Sequence, residues 1–355
     1  MKNLKYYIEG DLLYADMLKA IDGAKFSIDI ESYIFANDEV GENFIQLLLK
    51  KHVQGVNIRI IIDSVGSSRF KNFKFFKTLS KKGIKLKWFN PWSWREPFKF
   101  NRRNHRKLMI IDKKICFLGG FNLHKESSEK YYGKDRWKDS HISFEGELAQ
   151  QLSQQSSIFW KGKFKKLQSI NSLDRLTKVL PNSSIKCRKL LRCRFLSAIN
   201  NSKKSIYITT PYFAPDSQVI KSLVKRAQQG VNIILLIPKY SNHPLLKYAA
   251  YWYYQKLINV GIKIYEFGNR MLHSKTLIID NNLAIIGSAN MDYRSFFINH
   301  EIMLFSQQKG LLDHLNHDFD VNITLSEQIS LKQATSRSTF SVTSTFVAYL
   351  MRRWL

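Results

Sequence analysis

The sequence contains little cysteine and no long apolar run. Cysteine occurs three times in 355 residues, at Cys116, Cys187 and Cys193, without paired spacing. This pattern excludes a disulfide scaffold and favours a reducing compartment. No apolar run reaches the roughly 18 residues that a membrane-spanning helix needs, and residues 1–5 do not open an apolar signal segment. We therefore expect neither a transmembrane helix nor a cleaved signal peptide.

Acidic residues are also scarce. Asp and Glu total 28 against 56 Lys and Arg, which gives a formal net charge of +28. An excess of this size indicates an anionic partner, either a nucleic acid or a surface of acidic lipid.

One segment combines cations with aromatic residues and runs directly into His105. Its candidate membrane-binding residues are Trp92, Trp94, Phe98, Arg102 and Arg103. Trp and Tyr beside Lys and Arg favour the headgroup layer of a bilayer, which makes a lipid surface the preferred partner. Stacking of nucleic-acid bases on the same rings is the alternative, and we regard nucleic acid as the less favoured partner.

A short pattern, HxKxxxxD followed ten residues later by Asn, occurs twice. Its copies are His105, Lys107, Asp112 and Asn122, and then His273, Lys275, Asp280 and Asn290. The first Asn ends a Gly-Gly-Phe-Asn turn and the second a Gly-Ser-Ala-Asn turn. A single HxK has little specificity, but two copies with equal offsets indicate one duplicated half of an active site.

The residues after each HxK have the pattern of a buried β-hairpin. Apolar runs are joined by short polar breaks, and we place the hairpin tips at Lys113-Lys114 and Asn281-Asn282. Pairing about these tips puts residue 105 opposite 122 and residue 273 opposite 290. His, Lys and Asn then gather at the open end of each hairpin. The Asp of each motif lies at the tip, where we interpret it as a turn or framework residue.

This set of side chains suits a phosphodiester. A neutral imidazole can attack phosphorus, an ammonium group neutralises a non-bridging oxygen, and an amide donates to the same oxygens. The departing alkoxide needs a positioned acid, so one His attacks while the other, protonated, donates to the leaving oxygen. Two Lys and two Asn would surround the transferred group. The other histidines have no ligand spacing, and we expect no metal and no cofactor.

The repetition extends beyond the motifs. Each half opens with a strand, an amphipathic helix closed by Gly and a second strand, a βαβ unit. We therefore predict an α/β fold with two pseudo-symmetric α/β/α sandwich lobes that share one active site. The expected parts are a first lobe at 1–160, a basic interlobe connection at 161–200, a second lobe at 201–325 and a tail at 326–355. A disordered linker is the alternative for 161–200. Within the tail, 346–355 could form an interfacial helix or pack on the second lobe.

These motifs resemble those of the phospholipase D superfamily, whose signature is two HxKxxxxD copies in one bilobed chain. Within it, the chain looks like a bacterial cardiolipin synthase over about residues 8–305. The resemblance is carried by both Gly-containing turns, by Asp-Arg-Trp-Lys-Asp at 135–139, by Asn-Met-Asp-Tyr-Arg-Ser at 290–295, and by strand ends at 31–35 and 210–213. Without two N-terminal membrane spans, it is similar to the shorter branch of that family.

The resemblance implies a fold, a mechanism and an activity. His105 would form a phosphohistidine, and His273 would act as acid and base. An acidic residue would orient each ring, for which Asp139 and Glu301 are suitably placed. Gly120 and Ser288, inside the two turns, are further supporting residues. The implied activity is that of a phosphatidyltransferase, a cardiolipin synthase that moves a phosphatidyl group from phosphatidylglycerol or phosphatidylethanolamine to phosphatidylglycerol.

The sequence leaves other activities open. Water could resolve the intermediate, which would make the protein a phospholipase D. The protein could also be a nuclease of the same superfamily or an inactive membrane scaffold. The expected partner is an anionic phospholipid membrane containing phosphatidylglycerol, with peripheral attachment on the cytoplasmic side of the cell membrane. One chain holds a complete site, so a monomer suffices, and the oligomeric state is left open.

Overall fold

The computed structural model describes residues 1–68, 76, 79–183 and 185–339. The predicted interfacial helix at 346–355 lies outside the described residues. Across the described part of the chain, no helix combines the length and the apolar character needed to cross a bilayer.

Two sheets organise the chain. The first half contains β1 (Lys2–Tyr7), α1 (Gly10–Asp22), β2 (Ser27–Ser32), α2 (Glu39–Val53), β3 (Asn57–Asp63), β4 (Lys85–Phe89), α3 (Pro97–Phe100), β5 (Leu108–Ile111), β6 (Ile115–Gly119), α4 (Glu129–Tyr132), β7 (His141–Glu145) and α5 (Glu147–Trp160). The second half contains β8 (Ile170–Asn171), β9 (Thr177–Asn182), α6 (Ile185–Asn201), β10 (Ser205–Thr209), β11 (Phe213–Ala214), α7 (Ser217–Gln228), β12 (Asn232–Pro238), α8 (Pro244–Ile258), β13 (Lys263–Phe267), β14 (Thr276–Ile279), β15 (Leu283–Gly287), β16 (Met291–Asp292), α9 (Tyr293–Phe297), β17 (Glu301–Ser306), α10 (Lys309–Thr324), β18 (Ser326–Gln328) and α11 (Leu331–Thr339).

The two sheets repeat one strand order. The first runs β1-β7-β6-β5-β2-β3-β4 and the second β18-β13-β12-β10-β14-β15-β17-β9-β8. Six strands therefore correspond, with β7-β6-β5-β2-β3-β4 equivalent to β17-β15-β14-β10-β12-β13. In both lobes the βαβ strands are parallel and the hairpin is antiparallel to them. The predicted pair of pseudo-symmetric α/β lobes is confirmed.

The hydrophobic core has three main layers. Helices α1 and α2 cover the outer face of the first sheet, and α6, α7 and α8 cover the outer face of the second. The inner faces of both sheets share a third core with α5 and α10. Successive strand residues alternate between layers: Met109 belongs to an outer core, whereas Leu108 and Ile110 belong to the shared one. Because both faces of each sheet are buried, the hairpin strands are apolar at consecutive positions and not only at alternate ones.

Each hairpin turns one residue earlier than the sequence pattern suggested. Ile111 pairs with Ile115 and Ile279 with Leu283. The residues in left-handed backbone conformation are Asp112 and Lys113 in the first turn, and Asp280 and Asn281 in the second. The prediction of tips at 113–114 and 281–282 was therefore wrong by one position. Asp tolerates this conformation because its short side chain bonds to nearby backbone groups.

Hydrogen bonds to distant backbone make the two motif Asp residues part of the framework. The carboxylate of Asp112 accepts hydrogen bonds from the backbone N–H groups of residues 25–27, at 2.7 to 2.8 Å. The carboxylate of Asp280 accepts the equivalent three from residues 203–205, at 2.7 to 2.9 Å. These bonds lower the pKa of both carboxyl groups, although partial burial opposes them. Each Asp thus ties a hairpin tip to the start of the adjacent central strand.

The basic stretch at 161–200 is not a separate connection. It contains β8 and β9, and β9 pairs with β17 over six residues, from Thr177 opposite Ser306 to Asn182 opposite Glu301. Val179 and Leu180 are buried there. A position near the edge of the sheet explains the polar sequence, because strands there carry charged residues beside buried ones. The second sheet therefore begins near residue 170, earlier than the predicted boundary.

We expect Asp112→Ala and Asp280→Ala to lower the free energy of unfolding by about 1–3 kcal/mol each, since each leaves backbone donors without their charged acceptor. The activity per folded molecule should change little. Urea unfolding with activity corrected for the folded fraction would check this, with Asp320→Ala on an exposed position of α10 as the control. Unchanged stability together with lost activity would contradict the framework role.

Candidate active site

Both copies of the motif open into one cavity at the junction of the lobes. His105 and His273 precede β5 and β14, and both line a cavity of about 380 Å³. Asn122 and Asn290 line the same cavity. The repeated halves therefore bring two histidines and two asparagines to a single space.

Each histidine is held by a carboxylate from the opposite lobe. Nδ1 of His105 lies 3.0 and 3.1 Å from the two carboxylate oxygens of Glu301. Nδ1 of His273 lies 2.6 Å from Oδ2 of Asp139. All four side chains are buried. A carboxylate on Nδ1 holds the ring in one orientation and leaves Nε2 for chemistry.

The backbone repeats this crossed arrangement. The N–H of His105 donates to the carbonyl of His300 at 2.9 Å, and the N–H of His300 donates to the carbonyl of Arg103 at 2.8 Å. In the other half, the N–H of His273 donates to the carbonyl of Lys138 at 2.7 Å, and the N–H of Lys138 donates back to Met271 at 2.9 Å. Each motif histidine is thus bonded to the residue that precedes its carboxylate partner.

The two supporting turn residues act differently on the two carboxylates. The hydroxyl of Ser288 donates to Oε2 of Glu301 at 2.5 Å, and that of Ser295 donates to Oε1 at 3.0 Å. Gly120 occupies the position equivalent to Ser288, and a Cβ there would lie 2.0 Å from Oδ1 of Asp139. Glycine is needed at 120 because any side chain would displace Asp139.

The two motif lysines lie behind the cavity wall. Both are buried, and neither is among the residues that line the cavity. Nζ of Lys107 donates to the carbonyl of His105 at 2.8 Å, and Nζ of Lys275 donates to the carbonyl of His273. Burial and the charge of Lys275 lower the pKa of Lys107 to about 7. Burial lowers the pKa of Lys275 to about 8, against the opposing effect of Asp139.

The two imidazoles also titrate below their ordinary range. Burial lowers the pKa of His105, and the carboxylate of Glu301 opposes this shift. Burial, followed by the charges of Lys275 and Lys107, lowers the pKa of His273 well below the usual value. Neutral imidazole is the form that can attack phosphorus.

Several cavity residues were not singled out from the sequence. The ring of Tyr33 lies 5.0 Å from that of His105, and the ring of Trp137 lies 5.2 Å from that of His273. Tyr212, Arg294 and Asn299 also line the cavity. Tyr33 and Trp137 lie in segments that carry the family resemblance, so their place in those segments was the available signal. Nothing local marks Asn299.

The basic aromatic segment divides into an exposed part and a buried part. Trp92, Trp94, Phe98 and Arg102 are exposed. Arg103 is buried, lies 3.3 Å from Asp63 in an ion pair, and lines the cavity. Its prediction as a membrane-binding residue was wrong, because Asp63 draws the guanidinium inward.

The repeated lobes and the crossed histidine–carboxylate pairs define a phospholipase D-like protein. The family described as "Cardiolipin synthase, PLD-like domain" matches residues 17–160 and 195–322. The chain belongs to this family, and it is a phosphatidyltransferase of the phospholipase D type.

Known proteins show the same likeness. A cardiolipin synthase of Clostridium perfringens is 30% identical over 358 residues, which cover 96% of this chain and 74% of that protein. Cardiolipin synthase 1 of Staphylococcus aureus is 31% identical over 353 residues, covering 94% and 69%. Among solved structures, a phosphatidylserine synthase of Haemophilus influenzae matches with a TM-score of 0.75 at 11% identity, covering 99% of this chain and 95% of that one. At that identity the structural match shows the fold alone.

We expect Glu301→Gln and Asp139→Asn to lower kcat at least about 100-fold, because a neutral amide no longer orients the ring or stabilises its charged form. In Glu301→Gln the acid limb of the kcat/KM profile should also move to lower pH, since Glu301 raises the pKa of His105.

Steady-state kinetics across pH, with Asp320→Asn as the control, would measure both effects. A loss of activity that followed only a loss of folded protein would count against the positioning role.

Proposed function

We propose that this protein synthesises cardiolipin, by moving a phosphatidyl group through a phosphohistidine from phosphatidylglycerol, or from phosphatidylethanolamine, to a second phosphatidylglycerol. The observation that carries the proposal is the pair of carboxylate-held histidines facing one cavity. Two imidazoles at one phosphorus supply both a nucleophile and an acid, which a transfer without a metal requires.

The reaction has two steps. In the first, neutral Nε2 of His105 attacks phosphorus, the bond to the glycerol or ethanolamine oxygen breaks, and His273 protonates that oxygen. In the second, a hydroxyl of the incoming phosphatidylglycerol loses its proton to His273 and attacks phosphorus, and the bond to His105 breaks. The two steps mirror each other, so one acid–base group serves both.

The protonation of His273 depends on the substrate. The mechanism needs one neutral and one protonated imidazole. The protein lowers the pKa of both rings, so it does not by itself keep His273 protonated while His105 is neutral. A phosphodiester carries a negative charge, which raises the pKa of a neighbouring imidazole. The same charge favours the protonated forms of Lys107 and Lys275, which act from behind the cavity wall and stabilise the developing charge on the phosphoryl oxygens through their own positive charge. Asn122 and Asn290 donate from the cavity wall.

The location follows from the substrate. We propose peripheral attachment to the cytoplasmic face of an anionic membrane, with Trp92, Trp94, Phe98 and Arg102 in contact with lipid. Both histidines come from one chain, so a monomer suffices for the reaction.

The direct test is to incubate the purified protein with phosphatidylglycerol vesicles, with and without phosphatidylethanolamine, and to resolve the lipid products by mass. We expect cardiolipin to form. A higher yield with phosphatidylethanolamine present would identify that lipid as the phosphatidyl donor, and an equal or lower yield would identify phosphatidylglycerol. Phosphatidic acid alone would show that water resolves the intermediate. If no lipid changed while single-stranded or duplex DNA was cleaved, a nuclease function would replace the proposal.

The roles of the two histidines can be separated with an activated substrate. Phosphatidyl-p-nitrophenol has a leaving group that needs no protonation, so the first step no longer requires the acid. We expect His273→Asn to accumulate a covalent phosphatidyl-enzyme, because no base activates the acceptor, and His105→Asn to form none. Mass spectrometry of the intact protein measures the adduct. Accumulation in His105→Asn instead would exchange the two roles.

We expect a bell-shaped pH dependence of kcat/KM. On the acid side, activity falls as the attacking imidazole becomes protonated, at a pH below the ordinary histidine value because its pKa is lowered. On the alkaline side, activity falls first as His273 loses the proton that the first step requires, and then as Lys107 and Lys275 lose theirs, from about pH 7 to about pH 8 rather than near the ordinary lysine value. Lys107→Arg, which stays charged, should move the alkaline limb upward. Constant kcat/KM from pH 6 to pH 10 would contradict this account.

A further inference from the structure

One segment of each lobe exposes three large apolar side chains that lie close together in sequence. In the first lobe, Trp92, Trp94 and Phe98 are 51%, 86% and 90% exposed. In the second lobe, Tyr240, Leu245 and Tyr248 are 66%, 43% and 37% exposed. The sequence pattern indicates only the first group. Apolar groups of this size exposed together mark interaction surfaces more often than scattered single residues do.

Both segments border the mouth of the active-site cavity. Pro97 and Phe100 line the cavity from the first lobe, and Asn242, His243 and Leu246 line it from the second. In the first lobe, Trp92 and Trp94 precede the lining residues and Phe98 lies between them. In the second lobe, Tyr240 precedes the lining residues, Leu245 lies between them and Tyr248 follows them. The mouth is therefore flanked by exposed apolar side chains on two sides.

In the second lobe, the helix α8 places Leu245 and Tyr248 on its exposed face. Leu245 and Tyr248 lie three residues apart in α8, so they share one face of the helix. Leu246, on another face, is buried against Tyr212 and Ala249 in a small core beside the cavity. The helix is thus anchored by one face while Leu245 and Tyr248 point away from the protein.

A contact between the lobes fixes the two sides relative to each other. The guanidinium of Arg294, from the second lobe, donates to Oδ1 and to the backbone carbonyl of Asn101, both at 2.8 Å. Asn101 directly follows the aromatic segment of the first lobe, and Arg294 lines the cavity. The two apolar segments line one cavity and are joined by this contact, and together they are called the mouth surface.

The charges of this surface favour an anionic partner. Arg95 and Arg102 are exposed beside the aromatic residues of the first lobe, and neither takes part in an ion pair among the described residues. The chain as a whole carries a formal charge of +28. Aromatic residues mixed with arginine match the headgroup layer of a bilayer, where rings enter the interface and guanidinium groups meet phosphates.

We propose that Tyr240, Leu245 and Tyr248 form the second half of a two-sided rim that seats the cavity mouth on an anionic phospholipid bilayer, together with Trp92, Trp94 and Phe98. This inference rests on the proposed function, because it assumes a substrate that resides in the bilayer. Contact on both sides of the mouth keeps the phosphate of the lipid at the level of the histidines while the acyl chains stay in the membrane. It also limits the access of bulk water, which competes with the lipid hydroxyl.

The test compares three matched pairs of substitutions in the full chain. The second-lobe pair is Leu245→Gln with Tyr248→Gln, the first-lobe pair is Trp94→Gln with Phe98→Gln, and the control pair is Phe26→Gln with Val53→Gln. Phe26 and Val53 are 67% and 86% exposed and do not line the cavity. Binding to sonicated vesicles of phosphatidylglycerol and phosphatidylcholine is measured by sedimentation. Turnover of a water-soluble short-chain phosphatidylglycerol reports on the site without a bilayer.

We expect each rim pair to weaken vesicle binding about tenfold or more, since each removes two side chains from the interface. The two effects should multiply when the pairs are combined, because the substituted groups lie on opposite sides of the mouth. The control pair should bind vesicles as the unsubstituted protein does, and all variants should keep their turnover of the soluble substrate.

Vesicle binding of the second-lobe pair equal to that of the control pair would overturn the inference, whatever the lipid products are. A second-lobe pair that binds vesicles normally but changes the molecular mass in solution would assign this surface to contact between copies of the chain instead. The proposed function fails separately, if vesicle binding behaves as expected but neither cardiolipin nor phosphatidic acid forms.

Discussion

The crossed pairing of histidine and carboxylate is the constraint on which the rest of this structure depends. His105 pairs with Glu301, and His273 pairs with Asp139, so neither lobe by itself contains both members of a histidine–carboxylate pair. The backbone bonds beside these pairs fix the lobes in one relative position, and the cavity exists only in that position. The site is therefore complete only when the two lobes are packed together.

Burial of the charged groups in the site opposes folding. Two lysines, two carboxylates and two imidazoles are buried within one small region. Buried charges are tolerated only when they are paired and hydrogen-bonded. The carboxylates meet these conditions through the rings, the serine hydroxyls and a backbone N–H. The lysines meet them only in part, which explains their lowered pKa values. A negative charge placed in the cavity would therefore favour the protonated form of both lysines.

A further layer of charge lies beneath the site. Nε of Arg106, the residue between the two motif side chains, lies 2.8 Å from Glu31, and its guanidinium stacks over the ring of Phe159 at 4.3 Å. Glu31 also accepts a hydrogen bond from Ser156. This group joins β2, the residues just before β5, and α5. Because consecutive strand residues point to opposite faces, Arg106 anchors the strand from one side while His105 and Lys107 serve the site from the other.

Local patterns determined the strands, the hairpins, the repetition of the two halves and the eight motif residues, because strand alternation and turn chemistry act over a few positions. They also indicated Asp112 and Asp280 as framework residues. The tertiary structure decided what depends on distant partners: Arg103 turned inward to Asp63, residues 170–182 joined the second sheet, and each ring received its carboxylate across the lobes. The paired residues are 134 and 196 positions apart, and no local spacing records which of two chemically similar carboxylates approaches which ring. That choice belongs to the packing of two sheets on one shared core.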